Sequence, residues 1–439
     1  MKKIPGFPYF PVQFDKTGAI HDPAEVQALE RHLVEASPTD LLVLSHGWNN
    51  DMAEADLLYE SLLASAASLI AAGDEPGLVG RTFAVMGVLW PSKKFADAEL
   101  IPSGAAGIAG SVEVEDLKTK LEVLSSLVDT PGQESRTQRL APLLSRLEDS
   151  AAARREFVEG VRALVSPGGT EEGEGTSDFL TLDASALFKA LSLPISFAEA
   201  QPREGEGGAS GIEEGGAAGL AAFVSGPLSA ARNLLNLVTY YEMKERAGRV
   251  GSTGLNPILH RVRKAHPGLR LHLVGHSFGG RLVTATVAGT SDETVLPVAS
   301  LSLLQAAFSH HGFAVNWDGQ GHDGAFRRVL RLKAVSGPTI VTFSANDRAV
   351  GIAYPIASLV AGQTAAGLGD RDSRFGGIGR NGAQKTPEAV ERPMVQAGQD
   401  LPLQAGVVHN LKADSFIQDH GDVTNRDVAH AVFRAVAAT

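Results

Sequence analysis

Residues 270–288, RLHLVGHSFGGRLVTATVA, decide how this chain reads. Residues 270–274 read as a strand, and residues 278–288 as a helix. Between them stands Gly275-His276-Ser277-Phe278-Gly279, a G-x-S-x-G pattern held between a predicted strand and a predicted helix. Such a tight turn holds the serine in a strained backbone, and side chains at the flanking positions would collide with neighbouring chain, hence glycine. The turn thrusts Oγ out at the strand's carboxyl end, where the helix N-terminus favours negative charge. A chance glycine-rich turn carries the same bare pattern. The strand before it and the helix after it make Ser277 a candidate nucleophile.

Working outward, strand and helix signals alternate on both sides. Upstream, residues 40–45 (DLLVLS) read as a buried strand, followed by a helix with Asp51 as N-cap, and residues 82–90 (TFAVMGVLW) read as a second strand stopped by Pro91. Residues 255–266 read as a helix just upstream, and downstream residues 298–304, 338–343 and 407–413 read as strands. A last helix over about residues 425–438 has Thr424 and Asp427 as its capping pair. This alternation predicts an α/β protein with a mainly parallel, twisted sheet covered by helices on both faces. Ligands are then expected at the carboxyl ends of the strands. Residues 92–236 differ. Leu117, Leu121, Leu124 and Val128, then Leu140, Leu143, Leu144 and Leu147, then Phe157, Val161 and Leu164 repeat at helical spacing, separated by Gly/Glu-rich stretches at 168–175 and 204–216 that suit flexible loops. The expected organisation is a core in two parts, residues 1–91 and 237–439, around a mainly helical insertion at 92–236.

Composition bounds the function. The chain has 439 residues, 44% of them apolar and 20% charged, which is globular rather than disordered. Cysteine is absent, so disulfides, thiolate metal sites and a thiol nucleophile are excluded. A net charge of −11 argues against nucleic acid or an anionic membrane as the main partner. Prolines at 5, 8 and 11 interrupt the start as a leader segment, and the most apolar window, residues 217–238, is broken by glycines, a proline and Arg232. The expectation is a soluble cytoplasmic protein.

A serine hydroxyl needs a base and an orienting acid, which follow the nucleophile in the chain order acid, then histidine. Asp347 stands in the loop after the strand at 338–343, the place for the acid. The rival loop, residues 305–312 after the strand at 298–304, holds no carboxylate. Of the downstream histidines, His409 starts the last strand, at the wrong end of the sheet, and His430 lies inside the last helix. His420, in the loop between them, is the expected base. Two backbone amides should receive a developing oxyanion: that of Phe278, after the nucleophile, and that of Trp48, in the loop His46-Gly47-Trp48-Asn49-Asn50.

Together Ser45-His46-Gly47-Trp48-Asn49-Asn50, Trp90-Pro91-Ser92, Gly275-His276-Ser277-Phe278-Gly279-Gly280, Asn346-Asp347 and His420-Gly421 resemble the α/β-hydrolase superfamily. More narrowly they resemble a bacterial serine-hydrolase group that pairs an HGxN loop with a WPS strand end. In that group a tyrosine and a helix closely follow WPS; here the matching Thr239-Tyr240-Tyr241 comes only after residues 93–238. The resemblance covers about residues 40–92 and 239–439. It implies an α/β-hydrolase fold and acyl transfer to water through an acyl-serine, most often on carboxylic esters, without a cofactor. The expected partner is a small-molecule ester with an apolar acyl or alcohol part. The insertion would cap Ser277, with residues 217–238 as its apolar lining. An amidase or peptidase shares the same triad, and a silent binding protein shares the same fold.

Two other patterns carry less. Residues 377–382 match G-x-G-x-x-G but follow no clear strand, so a dinucleotide site is not expected. Arg371, Arg374 and Arg380 in that loop read as solvated surface charges. His310-His311 are adjacent, and neighbouring side chains rarely share one metal ion.

Overall fold

The computed structural model describes residues 2–48, 50–92, 114–128, 132–164, 181–192, 226–347, 371 and 376–439. Its strands are β1 (Lys2–Ile4), β2 (Phe7–Gln13), β3 (Asp40–Ser45), β4 (Phe83–Leu89), β5 (Arg270–His276), β6 (Ser300–Leu304), β7 (Thr339–Phe343), β8 (Ala389–Pro393) and β9 (Val408–Lys412). Among the described residues they make one sheet in the order β1-β2-β4-β3-β5-β6-β7-β9-β8. The β1–β2 pair is antiparallel and every other neighbouring pair is parallel. The protein is therefore α/β with a mostly parallel sheet.

The helices are α1 (Pro23–Ala36), α2 (Met52–Ala72), α3 (Val114–Leu127), α4 (Gln133–Leu140), α5 (Ala151–Arg162), α6 (Ala184–Leu191), α7 (Pro227–Arg249), α8 (Asn256–Ala265), α9 (Phe278–Ala288), α10 (Arg327–Arg331), α11 (Ile378–Asn381) and α12 (Arg426–Ala437). Strand alternation divides the core into two layers. Leu41 and Val43 of β3 pack on one face with α1, α8 and α9, whereas Leu42 and Leu44 pack on the other with α2 and α12. A strand buried on both faces is continuously apolar, which explains the unbroken DLLVLS run. Asp51 caps α2, its side chain accepting from the Ala53 and Glu54 amides while the Glu54 carboxylate accepts from the Asp51 amide. By length and composition α2 could cross a bilayer, but its Tyr59, Leu62, Leu63 and Leu69 are buried under the sheet.

A third cluster belongs to the region between β4 and β5, where the described residues are helical before β5. Leu117, Leu121 and Leu124 of α3 pack with Phe157 and Val161 of α5, Leu187 of α6, and Leu234 and Val238 of α7. The boundary at residue 236 falls inside α7 rather than between two units. The first half of that helix packs on the helical cluster, while Met243 and Ala247 of its second half pack on the sheet. Arg246 fastens the junction, donating to the Pro91 carbonyl at 2.9 Å and the Leu127 carbonyl at 3.0 Å. The Gly/Glu-rich stretches 168–175 and 204–216, and residues 217–225 of the expected apolar lining, lie outside the described residues.

Three strands and three helices fill places where no element was expected: β1, β2, β8, α1, α10 and α11. The cap of α12 is also corrected. Asn425, not Thr424, accepts from the Asp427 and Val428 amides, because its shorter reach from the Ncap position fits those donors.

Candidate active site

The direction in which successive strands are added switches at the parallel β3–β5 pair: β3 leads to β4 on one side, and β5 leads to β6 on the other. This is where an open α/β sheet leaves a crevice at the strands' carboxyl ends. Register pairs Ser45 with Gly275, so the loops leaving β3 and β5 emerge side by side.

Ser277 occupies the turn between β5 and α9 with φ 56° and ψ −126°, a left-handed conformation that a non-glycine residue rarely adopts. Such strain, typically about 1–3 kcal/mol, survives only where the surroundings impose it. Here the Ser277 amide donates to the Leu304 carbonyl at 3.1 Å, and its own carbonyl accepts from Ala307 at 2.9 Å and Gly280 at 3.0 Å. A side chain at Gly279 would strike the carbonyls of Ser45 and His46. A Cβ at Gly47 would stand 2.5 Å from Ser277 Cβ and 3.1 Å from its Oγ. The loop after β3 thus lies against the serine.

That loop is held by residues whose part the sequence did not disclose. The His46 amide donates to the Tyr59 hydroxyl at 2.7 Å, which donates to the Val88 carbonyl at 2.7 Å. The His46 ring stacks on Trp90, and its Nε2 accepts from the Trp90 amide at 3.3 Å, which leaves Nδ1–H to donate to the Gly47 carbonyl at 2.9 Å. Burial lowers the His46 pKa to about 4, so the ring is neutral in this role. Ser92 exchanges hydrogen bonds with the backbone of Asn50. The HGxN and WPS segments therefore clasp each other.

Among the described residues, the amides of Trp48 and Phe278 donate to no protein acceptor. Their rings lie 5.9 Å apart and both approach Tyr240 of α7, at 6.3 Å and 5.0 Å. Trp48 thus packs as well as presenting its amide.

Asp347 and His420 are brought together from the loops after β7 and β9. His420 Nδ1 donates to Asp347 Oδ2 at 3.0 Å, with Asp347 fully buried and the histidine side chain 23% exposed. Burial alone would lower the His420 pKa, but the charge and hydrogen bond of Asp347, with a contribution from Asp419, raise it above the ordinary value. The link to the serine runs through its neighbour: His276 Nε2–H donates to the His420 carbonyl at 2.8 Å, with the two rings 4.9 Å apart. Burial, reinforced by repulsion from His420, lowers the His276 pKa to about 3. Among the described residues Ser277 Oγ has no hydrogen bond to His420.

The remaining candidates sit elsewhere. His409, buried on β9, is bonded to the backbone of Gln404, and His430 of α12 to the Gln399 carbonyl and Glu75. His310 contacts Asn381 through Nδ1 at 3.0 Å. Residues 378–381 form α11, and the Gly379 carbonyl accepts from the Ser344 amide at 3.0 Å, which sets this glycine-rich segment behind Asp347. Arg380, half-buried, donates to the carbonyls of Ala345 and Asp347. Arg371 pairs with Glu391, and Arg374 lies outside the described residues.

No family model, curated protein or solved structure matches the chain.

Proposed function

We propose that this protein is a serine hydrolase of the α/β-hydrolase fold that cleaves carboxylic esters through an acyl-serine intermediate. The observation that carries the reading is the Asp347–His420 pair, fastened to His276, the residue before a serine held at φ 56°. In this scheme Ser277 Oγ adds to the ester carbonyl carbon while His420 Nε2 takes its proton. Asp347 holds Nδ1–H and stabilises the imidazolium. The carbonyl oxygen gathers negative charge and is received by the amides of Trp48 and Phe278, donors of a kind typically worth about 10²–10³ in rate each. Collapse of the adduct breaks the bond to the alcohol oxygen, which leaves with the proton from His420. A water molecule then repeats the sequence on the acyl-serine, and the acid is released. Serine-to-base hydrogen bonds are commonly long before substrate arrives and close in the Michaelis complex.

Ester rather than amide cleavage follows from the family resemblance of the motifs. Treatment with a fluorophosphonate probe tests the reading. Wild type should be labelled and Ser277→Ala should not, and nitrophenyl esters should turn over where anilides do not. Absence of labelling in wild type would reduce the chain to a binding protein on this fold; turnover of anilides would make it an amidase.

A further inference from the structure

Gln305 leaves β6 in the loop where no carboxylate is available, and its side chain is wholly buried. Its Nε2 donates to Asp347 Oδ2 at 3.1 Å and to the Gly379 carbonyl at 3.0 Å. Its Oε1 accepts from Thr342 Oγ1 of β7 at 3.0 Å, and the Gln305 amide donates back to that hydroxyl at 3.1 Å. The orientation of the carboxamide follows from its partners, because the reverse would set its oxygen against a carboxylate and a carbonyl. Asp347 Oδ2 is the same oxygen that receives His420 Nδ1–H.

We infer that Gln305 is a positioning residue for His420: by donating to the carboxylate oxygen that His420 uses, it fixes the rotation of Asp347 and takes up part of its charge. The inference rests on the proposed Ser277–His420–Asp347 triad. A neutral donor suits the position. A second carboxylate there would repel Asp347 or share a proton with it, and a cation would oppose the imidazolium. Among the described residues, the charged or titratable groups around His420 include His276 at the end of β5, Asp347 after β7 and its own neighbour Asp419, with Arg380 on the backbone of Asp347. Removing the Gln305 donor changes none of these groups but leaves the Asp347 Oδ2 that faces His420 without its second hydrogen-bond donor. The carboxylate then holds the imidazolium more tightly, and the pH below which His420 is protonated moves up.

The experiment uses the full chain with Gln305→Leu and the nearly isosteric Thr342→Val, which loosens Gln305 without removing it. Two readouts are followed against pH: the rate of fluorophosphonate labelling at Ser277 and the imidazole titration of His420 by NMR. Gln305→Leu should slow labelling at pH 7 about tenfold and move both the acid limb and the NMR midpoint upward by about half a pH unit. Thr342→Val should do the same to a smaller extent. A lowered melting temperature with both pH readouts at wild-type values would overturn the inference and leave Gln305 a core hydrogen-bonding residue. If wild type is never labelled, the hydrolase reading fails by itself, and the NMR midpoints still decide whether Gln305 acts on His420.

Discussion

At Gly47 the chain tolerates no side chain for a geometrical reason: a methyl there would lie 2.5 Å from Ser277 Cβ. Either the loop after β3 must withdraw, carrying the Trp48 amide with it, or the serine must leave its strained turn. Gly47→Ala is therefore expected to cut the rate of fluorophosphonate labelling by about 100-fold or more, the loss of one oxyanion donor, while circular dichroism shows the fold retained. The histidines around the serine divide by protonation. His46 and His276 are held neutral by burial at about 4 and about 3, and each serves as a hydrogen-bonding brace. His420 is held in the opposite direction by Asp347. In the proposed mechanism the base must be neutral to accept the serine's proton, so a raised pKa would cost activity from the acid side. The acid limb of kcat/KM should lie above the unperturbed histidine value of about 6.5. Asp347→Asn removes the charge that raises it and presents the wrong partner to Nδ1. That variant should lose on the order of 10⁴ in kcat, with its residual activity showing a limb at lower pH. A limb in the variant unchanged from wild type would mean that His420 is not the titrating base.

Among elements, the start of α12 has the clearest bearing on the site, since the loop it terminates carries His420. Asn425 caps the helix through its Oδ1, and its Nδ2 donates to the Phe416 carbonyl at 3.0 Å and to Asp422 Oδ1 at 3.0 Å. One side chain thus closes both the helix and the loop over residues 416–422. Asn425→Ala should destabilise the protein by about 1 kcal/mol or somewhat more, read as a shift in denaturant midpoint, and should speed hydrogen exchange across residues 416–422. Thr424→Ala, whose side chain has no part in the cap, should stay within about 0.5 kcal/mol of wild type. The misplaced cap shows where sequence reading stops. Thr-x-x-Asp and Asn-x-Asp are both sound capping patterns, and only the path of the loop chooses between them. Strands whose two faces are buried, such as β3 and β4, declare themselves by nearly continuous apolar runs. Edge strands do not: β8 reads AVERP and is largely exposed, and β2 carries Pro8 and Pro11, which a strand near the sheet margin accommodates. Helix α1 did announce itself, with Asp22 capping, Pro23 in its first turn and Val26, Leu29 and Leu33 on one face, but its motif has no chemistry to draw attention. For the candidate site, the strained turn at Ser277 and the meeting of Asp347 with His420 were legible because their order along the chain matches the order of strand ends. Gln305, His276 and Tyr59 were not, since each acts through a contact between segments 13 to 144 positions apart that no local pattern encodes.

Over the whole molecule, the parallel strands separate two sets of buried polar groups to opposite margins of the sheet. At the carboxyl ends lie Ser277, Asp347 and His420. At the amino ends lies Asp40, fully buried, which accepts from Arg81, from Arg270 at 2.8 Å, from His272 at 2.9 Å and from Thr39 at 2.6 Å. His272 Nδ1 in turn meets Ser300 Oγ of β6 at 2.8 Å, and Arg81 donates to the Val436 carbonyl of α12. One carboxylate thereby ties β3, the approach to β4, β5, β6 and the last helix. Burial opposes its charge, but the hydrogen bonds of Arg81, His272, Thr39 and Arg270 outweigh that and hold its pKa well below the usual range. Asp40→Ala leaves the Arg81 guanidinium buried without its charge partner, which typically costs about 3–5 kcal/mol. Spread over a chain of this size, the same loss should lower Tm by about 4 °C if unfolding is cooperative. The sign of the pH effect is fixed by the depressed pKa. The stabilisation from Asp40 is fully present above the unfolded carboxylate value of about 3.9 and is lost as pH falls through the folded one. Wild type and Asp40→Ala should accordingly differ most in stability at neutral pH and converge in strong acid. The labelling rate of Ser277 at 25 °C should be the same in both, because no hydrogen bond of the Asp40 cluster reaches the carboxyl ends among the described residues. A loss of labelling equal to that of a triad variant, with the fold intact, would mean that the two margins are coupled through the strands and that the sheet is not a passive scaffold.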